Sequence, residues 1–227
     1  MSHQPCQSMG TPPPACVIFD IDGTLTRTND LIFASFNHLA RQYLGRSYAP
    51  AEIVGFFGPP EEGALSKIFG AEEVDRLMDE LCEFYESNHA SMAEAHSGVR
   101  EMLTYLKGRG VRLAVFTGKG RRTTTITLEA LELSRYFDII VSGTDVVQHK
   151  PHPEGICRVL DRFNVRAEET IMVGDSLSDI KASRAAGVHI ASALWDCFDP
   201  EGVLSENRSL VFHSVEDLHA WLRDRIQ

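Results

Sequence analysis

Val17-Ile18-Phe19-Asp20-Ile21-Asp22-Gly23-Thr24-Leu25-Thr26 begins as an apolar run and ends in two aspartates one residue apart, with a glycine turn directly behind them. A buried strand tolerates carboxylates at its carboxyl end where a metal, a cation or a reaction requires them, because an unpaired charge is costly to bury. Taken alone, the stretch also reads as a strand closed by a common Asp-Gly turn. Three later segments decide between the two.

From His96 onward the chain repeats helix-then-strand units. The pattern predicts helices over 98–108, 121–133, 153–163 and 178–186, and strands over 111–116, 138–141, 170–173 and 188–193. Short apolar strands rich in β-branched residues, alternating with helices, point to an α/β fold whose parallel sheet is covered on both faces. The strand at 17–19 joins this sheet, so the core is discontinuous in sequence.

The intervening residues 30–95 carry no alternating β pattern. Ile32, Phe36, Leu39, Ala40 and Tyr43 share one helical face behind a Thr28-Asn29-Asp30 cap. Val74, Leu77, Met78, Leu81 and Tyr85 share another, with Glu72 and Glu73 in the first turn. Between them, Val54 to Glu62 reads as a Gly/Pro-punctuated loop with exposed aromatics. The expected organisation is a leader at 1–15, an α/β core of 16–29 and 96–227, and an all-helical unit at 30–95.

A composition of 43% hydrophobic and 24% charged residues is that of a soluble globular protein. The net charge of −10 argues against a nucleic-acid partner, which needs a basic face. Five cysteines, none in a C-x-x-C pair, suggest neither a disulfide framework nor a zinc knuckle, and favour a reducing compartment. Residues 1–15 lack the apolar core of a secretory signal, and no run has the length of a membrane span. These features lead to the expectation of a cytoplasmic protein, monomer or homodimer, with no membrane partner.

In open parallel sheets, ligands gather beyond the carboxyl ends of the strands. There the sequence places Asp20-Ile21-Asp22-Gly23, Thr117-Gly118-Lys119-Gly120 and Gly174-Asp175-Ser176-Leu177-Ser178-Asp179, with His149-Lys150-Pro151 a few residues after the strand at 138–141. Clustered carboxylates form a hard, oxygen-rich site of the kind Mg²⁺ takes together with phosphate oxygens. A threonine hydroxyl and the N–H groups of a glycine turn suit phosphate, and a lysine adds positive charge. Together they describe phosphoryl transfer.

The ordered set resembles the haloacid dehalogenase superfamily, in its phosphoglycolate phosphatase-like branch. Asp20-x-Asp22-Gly23-Thr24 is similar to its first motif, Thr117 to the second, Lys150 to the third and Gly174-Asp175-x-x-x-Asp179 to the fourth. The resemblance spans roughly residues 15 to 220 and implies a Rossmann-like core with a helical cap inserted between the first two motifs. It implies a Mg²⁺-dependent phosphatase that hydrolyses a small phosphorylated metabolite through an aspartyl-phosphate. Asp20 would be the nucleophile and Asp22 the acid and base. Asp20, the Asp22 carbonyl and Asp175 would hold the metal, with Asp179 as a further ligand or an orienter. Thr117, Gly118 and Lys150 would bind the phosphoryl group. Family dehalogenases lack an acid at the place of Asp22, so the resemblance favours phosphoryl chemistry. In similar caps the loop at 55–62 faces the site, making Phe56, Phe57, Glu61 and Glu62 candidate specificity residues, although the aromatics could equally pack the cap.

Two departures weaken transfer of a particular substrate: Arg27-Thr28 stands where many relatives have Asp-Ser, and Gly118 where many have Asn. A β-phosphoglucomutase-like phosphomutase, or a non-catalytic binding protein retaining the fold, are the alternatives. Lys67 is the single cap candidate for a phosphonatase Schiff base. Lys119 lacks the spacing of a nucleotide-binding loop, and His149 and His152 lack partners for a zinc set. Ser176 stands outside any G-x-S-x-G pattern and is no serine-hydrolase nucleophile. Arg121-Arg122 opposes the dipole at a helix start, which is consistent with a solvated pair or with a nearby anion.

Overall fold

The computed structural model describes residues 13–226. Cys16–Phe19 form strand β1, four apolar residues with no exposed surface. Their side chains alternate: Val17 and Phe19 enter one hydrophobic cluster, Cys16 and Ile18 another, so both faces of the strand are buried. A short β2 (Thr26–Arg27) leads into helices α1 (Asn29–Leu44), α2 (Pro50–Val54), α3 (Glu61–Phe69) and α4 (Val74–Met92), and β3 (Glu94–Ala95) leads out of them. There follow α5 (Val99–Gly108), β4 (Arg112–Phe116), α6 (Arg121–Ala130), β5 (Ile139–Val141) and α7 (Glu154–Phe163). The chain then runs through β6 (Thr170–Gly174), α8 (Leu177–Ala186), β7 (His189–Ala193), α9 (Pro200–Glu206), β8 (Val211–Phe212) and α10 (Val215–Arg225).

Six strands form one parallel sheet in the order β5-β4-β1-β6-β7-β8. The sheet is the α/β layer read from the alternating pattern and the Rossmann-like core that the resemblance implies. One face packs on α5 and α10 through Val99, Leu103, Leu218 and Leu222, the other on α7 and α8 through Ile156, Val159 and Ala182. In register, Phe19 lies beside Val115 of β4 and Val173 of β6. The residues just beyond those three positions therefore leave the sheet along one edge.

The helices α1 to α4 form a cap with a hydrophobic cluster of its own, built on Leu31, Phe36, Leu39, Leu65, Leu77, Leu81 and Tyr85. The chain segments that enter and leave it pair antiparallel, Thr26 opposite Ala95 and Arg27 opposite Glu94. The cap docks on α6 of the core. Ile126 packs against the cap cluster, Tyr85 Oη and Thr127 Oγ1 share a buried 3.0 Å hydrogen bond, and Arg122 donates to Asp79 at 2.8 Å.

Several local expectations change. Glu61 and Glu62 open α3 rather than belonging to a loop; behind Pro60 they supply acidic charge to its first turn, and the Gly/Pro punctuation around them hides a nine-residue helix. Tyr43 is 37% exposed, its hydroxyl on Arg76 and Glu80 rather than in the core. The helix expected to reach 133 ends at Ala130, and α9, β8 and α10 extend the core beyond the last expected strand. Of the leader expected at 1–15, residues 1–12 lie outside the described residues, while Ala15 N–H donates to Glu169 O at 2.9 Å. Among the described residues no helix is long and apolar enough to cross a membrane.

Candidate active site

Each functional side chain is placed by the end of a strand. After β1, Asp20 N–H donates to Val173 O at 2.9 Å, tying the turn to β6. The next residues wrap around the carbonyl of buried Ile21, which accepts from Thr24, Leu25 and Thr26 N–H at 2.8–3.1 Å. Gly23 sits at φ +76°, and a Cβ there would lie 2.5 Å from Asp175 Oδ2, so both backbone and space demand glycine. After β4, Thr117 N–H donates to Val141 O at 3.1 Å and Lys119 N–H to Thr117 Oγ1 at 3.3 Å, folding the loop under the edge. After β6, Ser176 caps α8 in a reciprocal box with Asp179, accepting from Asp179 N–H at 3.2 Å.

Carboxylate oxygens of Asp20, Asp175 and Asp179 all lie within 4.8 Å of one another. Lys150, with 4% of its side chain exposed, reaches from the loop after β5 to Asp179 Oδ1 at 2.6 Å and Asp20 Oδ1 at 3.3 Å. The second oxygen of Asp179 accepts from Ser176 N–H and Oγ at 3.1 and 2.6 Å, so this fully buried group is engaged on both sides. The Asp22 carboxylate points elsewhere. Its Oδ1 accepts from Thr28 Oγ1 and lies 3.3 Å from Lys119 Nζ. Thr28, placed in the cap of α1, thus spends its hydroxyl on Asp22 rather than on the helix.

A cavity of about 480 Å³ lies between core and cap. Asp20, Asp22, Thr117, Gly118, Lys119, Lys150 and Asp175 form its floor. Residues 17–193 match the sequence profile of the haloacid dehalogenase-like hydrolases. The chain belongs to that family. A pyrophosphatase PpaX from Bacillus mycoides (strain KBAB4) is 32% identical over 203 residues, 86% of this chain and 94% of the relative. A PpaX from Bacillus cereus (strain G9842) is 34% identical over 179 residues, 79% and 82% of the two chains. Among solved structures, a phosphoglycolate phosphatase predicted in Haemophilus somnus 129PT superposes with a TM-score of 0.80 at 20% identity, covering 94% of this chain and 99% of that one, a likeness of fold. A Thermotoga maritima chain assigned to the beta-phosphoglucomutases superposes with a TM-score of 0.73 at 28% identity, covering 92% and 98%.

In this hydrolase the crowded carboxylates perturb one another. Burial pushes the Asp20 carboxyl up to about 6; Lys150 opposes the rise, and Asp179 and Asp22 add to it. Burial, with Asp20 and Asp179 beside it, drives Asp175 well above the ordinary carboxylate range. Burial works against the ammonium of Lys150, yet Asp179 and Asp20 hold it above the usual lysine value.

Of the four cap residues singled out in the sequence, Phe57 and Glu61 line the cavity. Phe56 does not; it packs edge-on against Tyr48 within the cap, centroids 5.3 Å apart. Glu62 is half-buried near Gly120 and is also off the cavity wall. Glu61 reaches across to the core. Its Oε2 accepts from Gly120 N–H at 2.6 Å and its Oε1 from Thr123 Oγ1, placing a carboxylate at the start of α6. That helix has no acidic residue in its own first turn. Arg121 pairs with Asp145 and Arg122 with Asp79, so acidic partners, rather than solvent alone, answer the two arginines.

Lys119 is the site residue whose part the sequence understated. Its side chain is 2% exposed and stands 3.3 Å from Asp22, 3.8 Å from Glu61 and 4.6 Å above the Tyr85 ring. Against the effect of burial, Asp22, Tyr85 and Glu61 raise its basicity, so it is an ammonium at any physiological pH. Its position directly behind a strand end was the available signal. Phe198 and Val203, which complete the cavity wall from the loop and helix after β7, carried none.

Proposed function

We propose that this hydrolase is a Mg²⁺-dependent phosphatase that transfers the phosphoryl group of a small phosphorylated metabolite to Asp20 and then to water. The convergence of Asp20, Asp22, Thr117, Lys150 and Asp175 on one cavity floor carries the reading. In this reading residues 30–95 are the cap, over a core of 16–29 and 96–227.

A divalent ion fits the residues present. Asp20, Asp175 and Asp179 bring three carboxylates against one ammonium, Lys150, an excess of two negative charges on hard oxygen donors. Asp20 and Asp175, with the Asp22 carbonyl, would hold Mg²⁺. Asp179, engaged by Lys150 and Ser176, orients the lysine. When bound, the ion supplies charge neutralisation for the phosphoryl oxygens and the nucleophile.

In the first step an Asp20 carboxylate oxygen forms a bond to phosphorus as the bond to the leaving oxygen breaks. Asp22 gives that oxygen a proton. In the second step Asp22 takes a proton from the water that attacks the aspartyl-phosphate, and Asp20 is regenerated. Thr117 Oγ1, Gly118 N–H and Lys150 hold the equatorial oxygens, and Thr28 and Lys119 fix the direction in which Asp22 points. The cap keeps bulk water from the first step.

Release of inorganic phosphate from a panel of phosphate monoesters, with Mg²⁺ and with Asp20→Asn as blank, tests the proposal. A folded protein that hydrolyses none of them would refute it. Two other readings have some support: the names of the Bacillus relatives suggest inorganic pyrophosphate, and the Thermotoga chain suggests phosphomutase chemistry. The mutase reading is weaker, because on the cap side of the cavity only Asn29 and the already occupied Glu61 offer polar side chains to a sugar.

A further inference from the structure

We infer that the alcohol released by this enzyme is uncharged and largely apolar, and that the phosphoryl group is the substrate's only anion. The inference rests on the phosphatase reading and concerns the half of the cavity that faces away from Asp20.

The wall there carries Ile32, Phe36, Val54 and Phe57 from the cap and Phe198 and Val203 from the core; Asn29, Ser176, Ser178 and Asp199 are the polar side chains that join the cavity lining beside Glu61 and the floor residues. The cap contributes no lysine, arginine or histidine to the wall, and its one charged group there is the carboxylate of Glu61. The two ammonium groups of the cavity are both committed: Lys150 lies on Asp20 and Asp179, Lys119 on Asp22 and Glu61. A second anionic group on the substrate, such as the carboxylate of phosphoglycolate or the distal phosphate of pyrophosphate, would find no uncommitted cation in the wall. Burying such a charge without a partner is strongly unfavourable.

The wall also leaves apolar surface open to water. Phe57 is 43% and Phe198 is 50% exposed, and these are two of the five large hydrophobic side chains exposed among the described residues. Both front this cavity, one from each side of it. Phe198 also meets Phe33 of the cap edge-on at 6.4 Å, which holds that ring at the seam between cap and core. Exposed aromatics gathered at one concave site mark a surface that a ligand covers.

The test is a homologous series. The specificity constant kcat/KM is measured with Mg²⁺ for methyl, butyl and hexyl phosphate, and for phosphoglycolate and inorganic pyrophosphate. These alkyl esters have leaving groups of similar chemistry, so the chain length isolates the contact with the wall. The expected result is a rise of about two- to fourfold per methylene, with hexyl phosphate at least roughly tenfold better than phosphoglycolate or pyrophosphate. Phe198→Ala should lower the constant for hexyl phosphate about tenfold and should flatten the rise with chain length. Phe57→Lys should raise the constant for phosphoglycolate at least about fivefold by supplying the missing cation. A flat or falling alkyl series, or a preference for phosphoglycolate or pyrophosphate, would overturn the inference and leave the phosphatase reading standing. Phosphate release from none of the compounds would defeat both.

Discussion

Replacing Asp20 by asparagine should abolish turnover and, in the absence of divalent cations, make the protein more stable. Asp20 is 13% exposed at its side chain and shares its surroundings with Asp175 and Asp179. Burial moves its carboxyl from 3.8 to about 6, which at 1.36 kcal/mol per tenfold corresponds to about 3 kcal/mol of unfavourable free energy for the ionised group. The amide removes that cost. That figure is already net of the attraction of Lys150, which keeps Asp179 at 2.6 Å in the variant, while the amide oxygen can still accept from Ile21 N–H. The expected gain is about 3 kcal/mol.

Its pH dependence has a definite sign. The folded state holds the Asp20 proton more tightly than the unfolded chain, so the wild-type carboxyl favours folding below about pH 4 and loses that contribution as pH rises through about 6. The variant's advantage should therefore be absent near pH 4 and complete above about pH 7. Saturating Mg²⁺ should reverse the order, since a ligand at about a thousandfold its Kd stabilises the native state by about 4.1 kcal/mol and the variant has lost a ligand. Urea unfolding at about pH 4 and about pH 8, with EDTA and then with Mg²⁺, measures all three differences. A variant less stable than wild type by more than about 1 kcal/mol in EDTA at about pH 8, or a difference independent of pH, would refute the reasoning.

Three further outcomes are expected. Lys119→Met leaves Asp22 and Glu61 without their shared counter-ion and should cost about 3 kcal/mol in urea unfolding at about pH 8, together with at least roughly a tenfold loss in kcat. Retention of both would refute its placement. Gly143→Ala would put a Cβ 2.4 Å from Gly118 O, displacing the loop that carries Thr117 and Lys119. A fall in kcat of roughly tenfold or more, with a Tm lowered by only a few degrees, is the signature, and a variant with wild-type kcat would count against the loop's role. The acid limb of kcat/KM should lie at or below about pH 6, because Asp20 must be ionised to attack and a bound cation only eases its ionisation; a pH–rate profile falling instead from about pH 7.5 would exclude Asp20 as the group responsible.

The core was legible in the sequence because each part of it is local. Val17-Ile18-Phe19 is apolar on both faces, as a central parallel strand must be, and its neighbours in the sheet repeat the pattern. A parallel sheet delivers strand ends to one edge, so Asp20, Thr117 and Asp175 could be assembled without knowing any distance between them. What the sequence hid depends on contacts between segments far apart. Thr28 resembled a helix cap and instead holds Asp22; Phe56 and Phe57 are adjacent, yet one packs on Tyr48 and the other opens on the cavity. The residues around Ser176 exclude serine-nucleophile chemistry, but its service to Asp179 through the α8 cap needed the structure.

The pair of arginines at the start of α6 carries the argument further. Two positive charges at a helix N-terminus are unfavourable unless something negative is brought to them: the core brings Asp145 to Arg121, and the cap brings Asp79 to Arg122 and Glu61 to the Gly120 N–H. Arg122 and the Gly120 N–H are therefore part of the core half of the cap's docking surface. Glu61 also faces Lys119, and Lys119 faces Asp22. One buried ammonium thus touches both the carboxylate that seats the cap and the carboxylate that must exchange protons with substrate and water. Moving the cap away would strip Lys119 of one of its two counter-charges and leave it to Asp22 alone. The seating of the cap and the setting of the acid-base residue are in this way joined through a single side chain.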